Sequence, residues 1–594
     1  MDRIRVETVA GGAHVGPAGD DVLPGRGRRL RPRPASGLMR ALKRNLLPLG
    51  LIGVLGYLVL VPLIRLQALA LADGGRAYGE ALDTRNFAET VRTTLALAFG
   101  SLVMALVLGT VLAWFATRLP HRLRWLGILP ILPIVIPPVA SVIGWAFLLA
   151  PKTGILNGWL RELPVLGASP EEGLPSGPID VYTPLWIILI TGLYLTSFLY
   201  VFIRAGLARV SFDLTEAARV AGASPARAFF QVVLPLIRPS LLYGGAIALL
   251  LGLGQFTAPL LLGLNHDVRV ITMEVYRFAS DTPVDYGLAA ALASPLLIAG
   301  VVLVVLQRVM LGNSERFVSD VGKGVQGAAR PSRLAPVAIV LYASVTVVLP
   351  LLALGAVALS PFWSGKLDPS HFSFENFRTL FGTPQAIDAI TTSLIVSIGG
   401  VLVALPVGYL AAEVIHRRRG GRIARTLMEL IITVPLGVPA VVFGAGFLYM
   451  YTREPTVLYG TKWVIVLVYV TLMLPFTTRL QLAARMSLGD SYEAAARASG
   501  AGPLRTHLTI MLPLMRAALG GAGALMFVLL SHEFAASLLV RSTDTQVMGT
   551  VLYDYWTNSG YTLVAAMAVV MCCVTAVGVA IAGWLGGANT LNKL

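Results

Sequence analysis

Polar residues inside long apolar runs are the first candidates for chemistry in this sequence. Glu533 lies in such a run, with His532 before it and Phe534 after it. Gln255 and Phe256 occupy equivalent places 278 residues earlier. If these runs cross a membrane, an ionisable residue within them is costly and indicates a pathway, although polar pairs also bond neighbouring helices together. We therefore predict either the lining or gate of a translocation path, or a structural hydrogen-bonding pair.

The other reactive side chains do not form the pattern of an enzyme's site. The sequence has no G-x4-G-K-[ST] phosphate-binding loop, since Lys323 in GKG lacks both the spacing and the hydroxyl residue. The seven histidines are scattered, and the adjacent Cys572 and Cys573 point to different sides of a helix. We expect no catalytic activity, no metal site and no cofactor bound by this chain.

The elements that position these residues have the composition of a membrane protein. Of the 594 residues, 56% are hydrophobic and 13% are charged, which is about half the charge of a soluble domain. The net charge of +16 could suggest nucleic acid, but the basic residues occupy an N-terminal tail and alternate loops between apolar runs. Because membrane topology explains that distribution, we expect a lipid bilayer and no nucleic acid as partner.

Twelve apolar runs are long enough to cross a bilayer as helices, since each crossing needs about 20 residues. The predicted fold is therefore an all-α membrane protein with about twelve transmembrane helices. Every second loop is rich in Arg and the others are neutral or acidic, which predicts that both termini are cytoplasmic. The predicted spans are 46–64, 92–117, 124–149, 184–203, 241–263, 287–307, 335–360, 391–415, 426–451, 462–482, 519–540 and 561–586.

The two halves of the chain resemble each other. Asn86-Phe87 matches Asn376-Phe377, and the segment 222–241 matches 500–519. Six spans per half is an even number, so two parallel repeats are predicted, with the transport route at their interface. The predicted parts are a disordered Arg-rich cytoplasmic tail, a first six-helix domain, a cytoplasmic linker and a second six-helix domain, at 1–40, 41–310, 311–334 and 335–594.

Two matched loops between spans carry the most informative pattern. The first reads E-A-A-x3-G-x9-V-x-L-P; the second reads A-A-A-x3-G-x9-I-x-L-P, with its acid one residue early and so rotated by about 100° on a helix. Ala with an early Glu favours a short helix, Gly can end it, and Pro is expected to break and redirect the chain before the next span. The residues are Glu216, Ala217, Ala218, Gly222 and Pro235 in the first loop and Glu493, Ala495, Ala496, Gly500 and Pro513 in the second.

These paired loops resemble the EAA loop of permeases of binding-protein-dependent ABC importers, and the span pattern of both halves is similar to that family's. The resemblance implies the architecture of a type I ABC importer permease, in which each loop helix couples to an ATPase. It implies two copies of an ABC ATPase subunit, which bind ATP and Mg, and an extracytoplasmic substrate-binding protein. It also implies a multi-pass protein of the bacterial inner membrane that works by alternating access.

The length of this fused double permease resembles the ferric-iron, thiamine, phosphonate and polyamine branches of the family. Two segments, 285–297 (DYGLAAALASPLL) and 531–540 (SHEFAASLLV), resemble the ferric-iron type most. Ferric iron is therefore the favoured cargo, with thiamine, phosphonate and polyamine as alternatives.

Two other classes of membrane protein could also contain twelve spans. An ion-driven secondary transporter is expected to carry buried acids and a Gly/Asp/Arg loop between its second and third spans. Here that loop, 118–124 (RLPHRLR), has neither Gly nor Asp. A non-transporting scaffold would explain neither the repeat nor the paired loops. Co-purification with a Walker-type ATPase separates an importer permease from both alternatives.

Overall fold

The computed structural model describes residues 35–84, 86–163, 177–210, 212–311, 331–417 and 421–586. These ranges are almost entirely helical and contain no strand. Within them, nine helices are long and apolar enough to cross a membrane, and three bent pairs bring the crossings to twelve, as predicted. The predicted tail and linker lie largely outside the described ranges, and the orientation of the termini stays a prediction.

The first half contains six crossings joined by shorter helices. Its helices are α1 (Ala35–Ala70), α2 (Arg76–Asp83), α3 (Phe87–Ala116), a 3-10 helix (His121–Ile134), α4 (Pro138–Leu149), α5 (Ile155–Arg161), α6 (Pro184–Leu207), α7 (Phe212–Val220), α8 (Pro225–Leu253), α9 (Ile271–Ser280) and α10 (Tyr286–Leu311). The crossings are α1, α3, the 3-10 helix together with α4, α6, α8 and α10.

The second half repeats this arrangement. Its helices are α11 (Leu334–Leu359), α12 (Glu375–Gly382), α13 (Pro384–His416), α14 (Gly421–Gly437), α15 (Ala440–Tyr451), α16 (Lys462–Leu488), α17 (Ser491–Ala498), α18 (Pro503–Leu514), α19 (Arg516–Ser531), α20 (Ala535–Val540), α21 (Met548–Thr557) and α22 (Tyr561–Gly586). The crossings are α11, α13, the pair α14 and α15, α16, the pair α18 and α19, and α22.

Proline accompanies a sharp bend in the third crossing of each half. The chain turns by 91° next to Pro137 and Pro138, between the 3-10 helix and α4. It turns by 108° next to Pro439, between α14 and α15. Proline lacks a backbone N–H and its ring collides with the preceding turn, so a helix changes direction there. The bends of both third crossings thus coincide with their prolines.

The first crossing of each half packs against the third crossing of the other half. Gly144 of α4 faces the backbone of Pro350 in α11, and Gly446 of α15 faces the backbone of Pro62 in α1. The two contacts are equivalent: one joins the third crossing of the first half to the first crossing of the second half, and the other joins the third crossing of the second half to the first crossing of the first half. This reciprocal packing is what two parallel repeats related by a pseudo-twofold axis produce, and glycine permits the close approach of the backbones.

Adding one methyl group at this interface should destabilise the fold. A Cβ at Gly144 would lie 2.6 Å from the Pro350 carbonyl oxygen, so we expect Gly144→Ala to cost about 1–3 kcal/mol through overpacking. Thermal unfolding of the detergent-solubilised chain measures the change. Gly355→Ala in α11 is the matched control, because its Cβ would meet no atom within 4 Å. Equal melting temperatures for the two variants would contradict the close packing.

Candidate functional site

The short helices α7 and α17 end in the same way in the two halves. Gly222 follows α7 with a φ of +87°, and Gly500 follows α17 with a φ of +76°. In both loops, the residue after the glycine donates its N–H to the carbonyl oxygen five residues earlier, at 2.9 Å. This is a Schellman cap, whose left-handed residue is usually glycine because glycine pays no steric cost there. The left-handed glycines predicted in both loops are confirmed.

The outer faces of α7 and α17 both carry exposed alanines beside larger exposed side chains, such as Val220 on α7 and Tyr492 on α17. Glu216 and Ala217 are exposed on α7, and Ala495 is exposed on α17. Ala218 is half-buried and Ala496 is buried, so these two face the protein. An exposed alanine face lets a partner's surface approach the helix backbone closely. On both helices these alanines leave part of the backbone close to the protein surface.

The acid that is displaced by one residue in the second loop has a different role from that in the first. Glu216 is exposed, and Ala494 takes its place on α17. Glu493 is instead 6% exposed and contacts Arg485 at 2.5 Å and Arg417 at 2.6 Å. The shift of about one residue therefore turns the carboxylate from the outer face to the inner face of the helix. The rotation predicted for the acid of the second loop is visible as a difference in burial: Glu493 is buried and Glu216 is exposed.

A proline follows the glycine at the same spacing in both loops, and it was predicted to redirect the chain. In the first half it does not. Helix α8 continues past Pro235 without a sharp bend, so the prediction that Pro235 redirects the chain is wrong. A π-helical stretch, 229–233, precedes it, and that wider turn makes room for the proline ring. An equivalent stretch, 507–511, precedes Pro513, where the 72° bend follows at Met515.

Two long helices stop just before the polar residues that the sequence placed inside spans. Helix α8 ends at Leu253 and α19 ends at Ser531, so Gln255 and Glu533 lie in breaks of the fifth crossings. The predicted span 519–540 is thus interrupted at Glu533, which lies between α19 and α20. The apolar run continues through each break, but the backbone hydrogen bonds are interrupted and polar side chains have to satisfy them.

Four aromatic rings meet where the two halves come together. Phe256 and Phe534 stack with their centroids 5.8 Å apart and their planes at 29°. Tyr276 of α9 lies 5.6 Å from Phe256, and Tyr553 of α21 lies 5.9 Å from Phe534. Burial raises the pKa of both tyrosine hydroxyls, so they stay neutral. We call these four residues the central aromatic cluster; its spacing is that of favourable ring pairs.

Sequence reasoning found two of these four rings. Phe256 and Phe534 were identified as a repeated pair, and the structure brings them together. Tyr276 and Tyr553 were missed, although they stand at matching places 277 residues apart. Their helices, α9 and α21, are too short to be recognised as membrane spans. Aligning the two halves over these loops would have revealed the matching tyrosines.

Glu533 caps the short helix α20. One carboxylate oxygen accepts the Ala536 N–H at 2.7 Å, and the other accepts the Ser537 N–H at 2.9 Å. The hydroxyls of Tyr469 and Ser537 are 3.0 Å apart, which extends the network to α16. The imidazole of His532 is buried, and its Nδ1 has no hydrogen-bond partner among the described residues. Because a carboxylate at a helix N-terminus satisfies free N–H groups, Glu533 holds the break in shape.

Gln255 borders a cavity of about 190 Å³ in the first half. Ser141, Thr191 and Tyr194 also line this cavity. The Thr191 hydroxyl donates to the Gln255 side-chain oxygen at 3.0 Å, while the Gln255 side-chain nitrogen has no partner among the described residues. In the second half the larger Tyr469 stands at the position of Thr191. The two breaks are therefore equivalent in backbone but different in polarity and in the space around them.

One group of side chains has the composition of a metal site. Ligand atoms of Glu413, Glu493 and His507 lie within 4.8 Å of one another. However, Arg417 and Arg485 already contact both carboxylates. A cation would have to displace one buried and one half-buried guanidinium group, which makes this group of residues a poor metal site.

The fold and these loops define a membrane permease built from two homologous halves. Residues 128–311 and 404–588 each match the family described as the binding-protein-dependent transport system inner membrane component. The chain belongs to this family, and it is a permease of an ABC importer. The resemblance inferred from the paired loops, together with the fold class, is thereby confirmed.

Relatives of this chain differ in how much of it they match. It is 24% identical over 504 residues to the ferric transport system permease protein FbpB of Actinobacillus pleuropneumoniae, covering 83% of this chain and 70% of the relative. It is 26% identical to the putative 2-aminoethylphosphonate transport system permease protein PhnV of Salmonella typhimurium, with coverages of 38% and 84%. It is 27% identical to the spermidine/putrescine transport system permease protein PotB of Escherichia coli, with coverages of 38% and 79%.

Proposed function

We propose that this permease imports ferric iron. The observation that supports this cargo is that a ferric transport permease matches both halves, over 83% of the chain, whereas the phosphonate and polyamine permeases are shorter and match 38% of it, although 84% and 79% of their own length is covered. The transport route is predicted at the interface of the two halves. A similarity that extends over both halves therefore includes the residues on both sides of this interface. Phosphonates and polyamines are the alternative cargoes, since their permeases are also similar to this chain, and thiamine was the further alternative that the sequence left open.

We further propose that α7 and α17 are coupling helices, each of which docks onto one copy of an ABC ATPase. Their identical Schellman caps and their exposed small residues support this role. The chain itself then binds no cofactor, and ATP and Mg are bound by the partner. A substrate-binding protein delivers the cargo from the opposite side of the inner membrane, with both termini of the permease in the cytoplasm.

The central aromatic cluster is the proposed closed gate of the translocation path. One phenylalanine and one tyrosine from each half close the interface, and small relative movements of the halves would part the Phe256–Phe534 stack. ATP and the loaded binding protein open the gate to the extent that together they favour the open state.

Uptake by the reconstituted importer tests the cargo. The permease, its ATPase and its binding protein would be placed in proteoliposomes, and ATP-dependent accumulation of radiolabelled ferric iron would be measured. We expect saturable iron uptake that an excess of thiamine, 2-aminoethylphosphonate or spermidine does not inhibit. Uptake of one of those compounds without uptake of iron would replace the proposed cargo by that compound.

We expect Glu533 to act mainly by positioning Phe534 in the gate. Glu533→Gln keeps one acceptor oxygen but replaces the other by an NH2 donor, so one of the two capped N–H groups loses its acceptor. The variant should lose about 1–3 kcal/mol of stability while keeping most of its iron uptake. Glu533→Ala, which leaves the N–H groups of α20 without a cap, should lose more of both. Thermal unfolding and initial uptake rates measure these effects. A stable Glu533→Gln variant without uptake would show instead that the charge itself serves transport.

A further inference from the structure

A buried ion cluster fixes α17 to the ends of α13 and α16. Arg485 on α16 is 1% exposed. Its guanidinium contacts Glu493 of α17 at 2.5 Å and Glu413 of α13 at 3.2 Å, and it donates to the Gly489 carbonyl oxygen at 2.9 Å. Three helices and the turn between two of them thus meet at a single side chain.

A second guanidinium and an imidazole complete this cluster. Arg417 contacts Glu493 at 2.6 Å and also pairs with Glu413. His507 of α18 lies 2.9 Å from Arg417 and 2.6 Å from the Tyr409 hydroxyl. The two guanidinium groups balance the two carboxylates, so neither buried acid is left uncompensated. We call Glu413, Arg417, Arg485, Glu493 and His507 the ion cluster.

The residues at the matching place in the first half are mostly uncharged. The rings of Trp114 and Phe229 meet edge to face at 4.9 Å, and Trp114, Leu207 and Thr215 border one small cavity. Neutral residues thus replace four of the five members of the ion cluster. In the repeat, Trp114 corresponds to Glu413, Leu207 to Arg485, Thr215 to Glu493, Phe229 to His507 and Arg118 to Arg417.

We propose that Arg485 is the positioning residue of α17, and that the ion cluster makes α17 a rigid extension of α16 while α7 stays a compliant coupling helix. This inference rests on the proposed coupling role of the two helices. Apolar contacts are non-directional and tolerate sliding, whereas a buried charge pulled from its partner is strongly unfavourable. Motion of an ATPase is therefore transmitted more directly through the second half than through the first.

Helix α16 connects the ion cluster to the gate. About 24 Å of helix separates Arg485 from Tyr469, given 1.5 Å per residue. The Tyr469 hydroxyl lies 3.0 Å from that of Ser537, and Ser537 donates to Glu533, the neighbour of Phe534. A displacement of α17 thus reaches the gate through one helix and two hydrogen-bonded contacts.

Hydrogen exchange in the unmodified chain is the first test. In nanodiscs, without the ATPase, the backbone amides of α17 should exchange at least about tenfold more slowly than those of α7, because opening α17 requires separating buried charges. The two helices are similar in length and have the same cap, so each is the control for the other. Equal exchange rates would overturn the proposed difference in rigidity.

Substitution of Arg485 is the second test, in proteoliposomes that contain the ATPase and the binding protein. Arg485→Leu installs the first-half residue and should lower the substrate transported per ATP hydrolysed by about tenfold or more. Arg485→Lys should recover part of this ratio. The combined variant Glu413→Trp/Arg485→Leu/Glu493→Thr/His507→Phe removes the buried charges together, and it should regain stability but not the transport ratio. Asp490→Asn, which removes only an exposed contact with Arg485 at 3.4 Å, should change both properties much less than Arg485→Leu.

The outcomes separate this inference from the coupling role on which it depends. A combined variant with the normal ratio of transport to hydrolysis would show that the ion cluster is only structural. Chains that carry Gly222→Val and Gly500→Val, yet still bind the ATPase, would instead refute the coupling role of both helices. Loss of coupling in the combined variant, with ATPase binding retained, supports the assignment of Arg485.

Discussion

The double variant Gly222→Val/Gly500→Val is expected to abolish ATP-driven uptake while the chain remains a folded membrane protein. Both glycines have a positive φ, +87° and +76°, at which a side chain collides with the backbone. Each valine should cost about 1–2 kcal/mol by that collision, and β-branching adds to the strain. The strain is located in the C-terminal caps of α7 and α17. Both caps should therefore rearrange, and the helices should no longer dock onto the ATPase.

Two measurements and one control decide this prediction. The amount of ATPase that co-purifies with the tagged permease reports docking, and uptake in proteoliposomes reports function. Gly520→Val is the control, since Gly520 lies inside α19 and a Cβ there would meet nothing within 4 Å. Normal ATPase binding by the double variant would contradict the docking role of the two caps.

Features that depend on local sequence could be predicted with confidence. The twelve crossings follow from apolar length, and the bends follow from Pro137 and Pro439. The caps at Gly222 and Gly500 follow from one residue type that tolerates a positive φ. Each of these features depends on a few neighbouring residues, so no knowledge of tertiary contacts was needed.

Features that depend on contacts between distant segments were beyond the sequence pattern. Glu413 stands in the sequence next to an Arg-rich segment, but its partner Arg485 lies on another crossing. The shifted position of Glu493 was detected as an irregularity in the repeat. The side chain that binds the shifted carboxylate, Arg485, stands 8 residues earlier on another helix. Similarly, the helix break at Glu533 could not be predicted, because it lies within a continuous apolar run and hydrophobicity does not indicate where helical hydrogen bonds end.

The wrong prediction for Pro235 has an instructive cause. Proline inside a helix removes one hydrogen bond and displaces the preceding turn, which usually breaks or kinks the helix. Here the π-helical stretch at 229–233 widens that turn, so α8 continues as one helix. The same stretch at 507–511 precedes a bend of 72°. Equal sequence spacing therefore yields unequal fifth crossings, in keeping with the unequal anchoring of α7 and α17.

The double variant Phe256→Ala/Phe534→Ala should leave the translocation path open. The two rings stack across the interface of the halves, and each is 3% exposed, so truncation creates a cavity where the path closes. Loss of a buried phenylalanine costs about 3–5 kcal/mol at a well-packed site, which should shift the gate toward open states. We expect ATP-independent efflux of preloaded ferric iron, supplied as its citrate complex, at a rate at least about tenfold above that of the wild type.

Phe147→Ala distinguishes an open gate from general damage to the fold. Phe147 is fully buried in α4 and packs against Trp363 at 4.8 Å and Trp556 at 6.3 Å, neither of which belongs to the central aromatic cluster. Its truncation should lower the melting temperature comparably but should not cause efflux, because the cavity does not lie between Phe256 and Phe534. Equal efflux from both variants would mean that any large core cavity makes the protein leak. Efflux from the double variant alone would show that the stacked rings close the path, since removal of a buried phenylalanine elsewhere leaves the path closed.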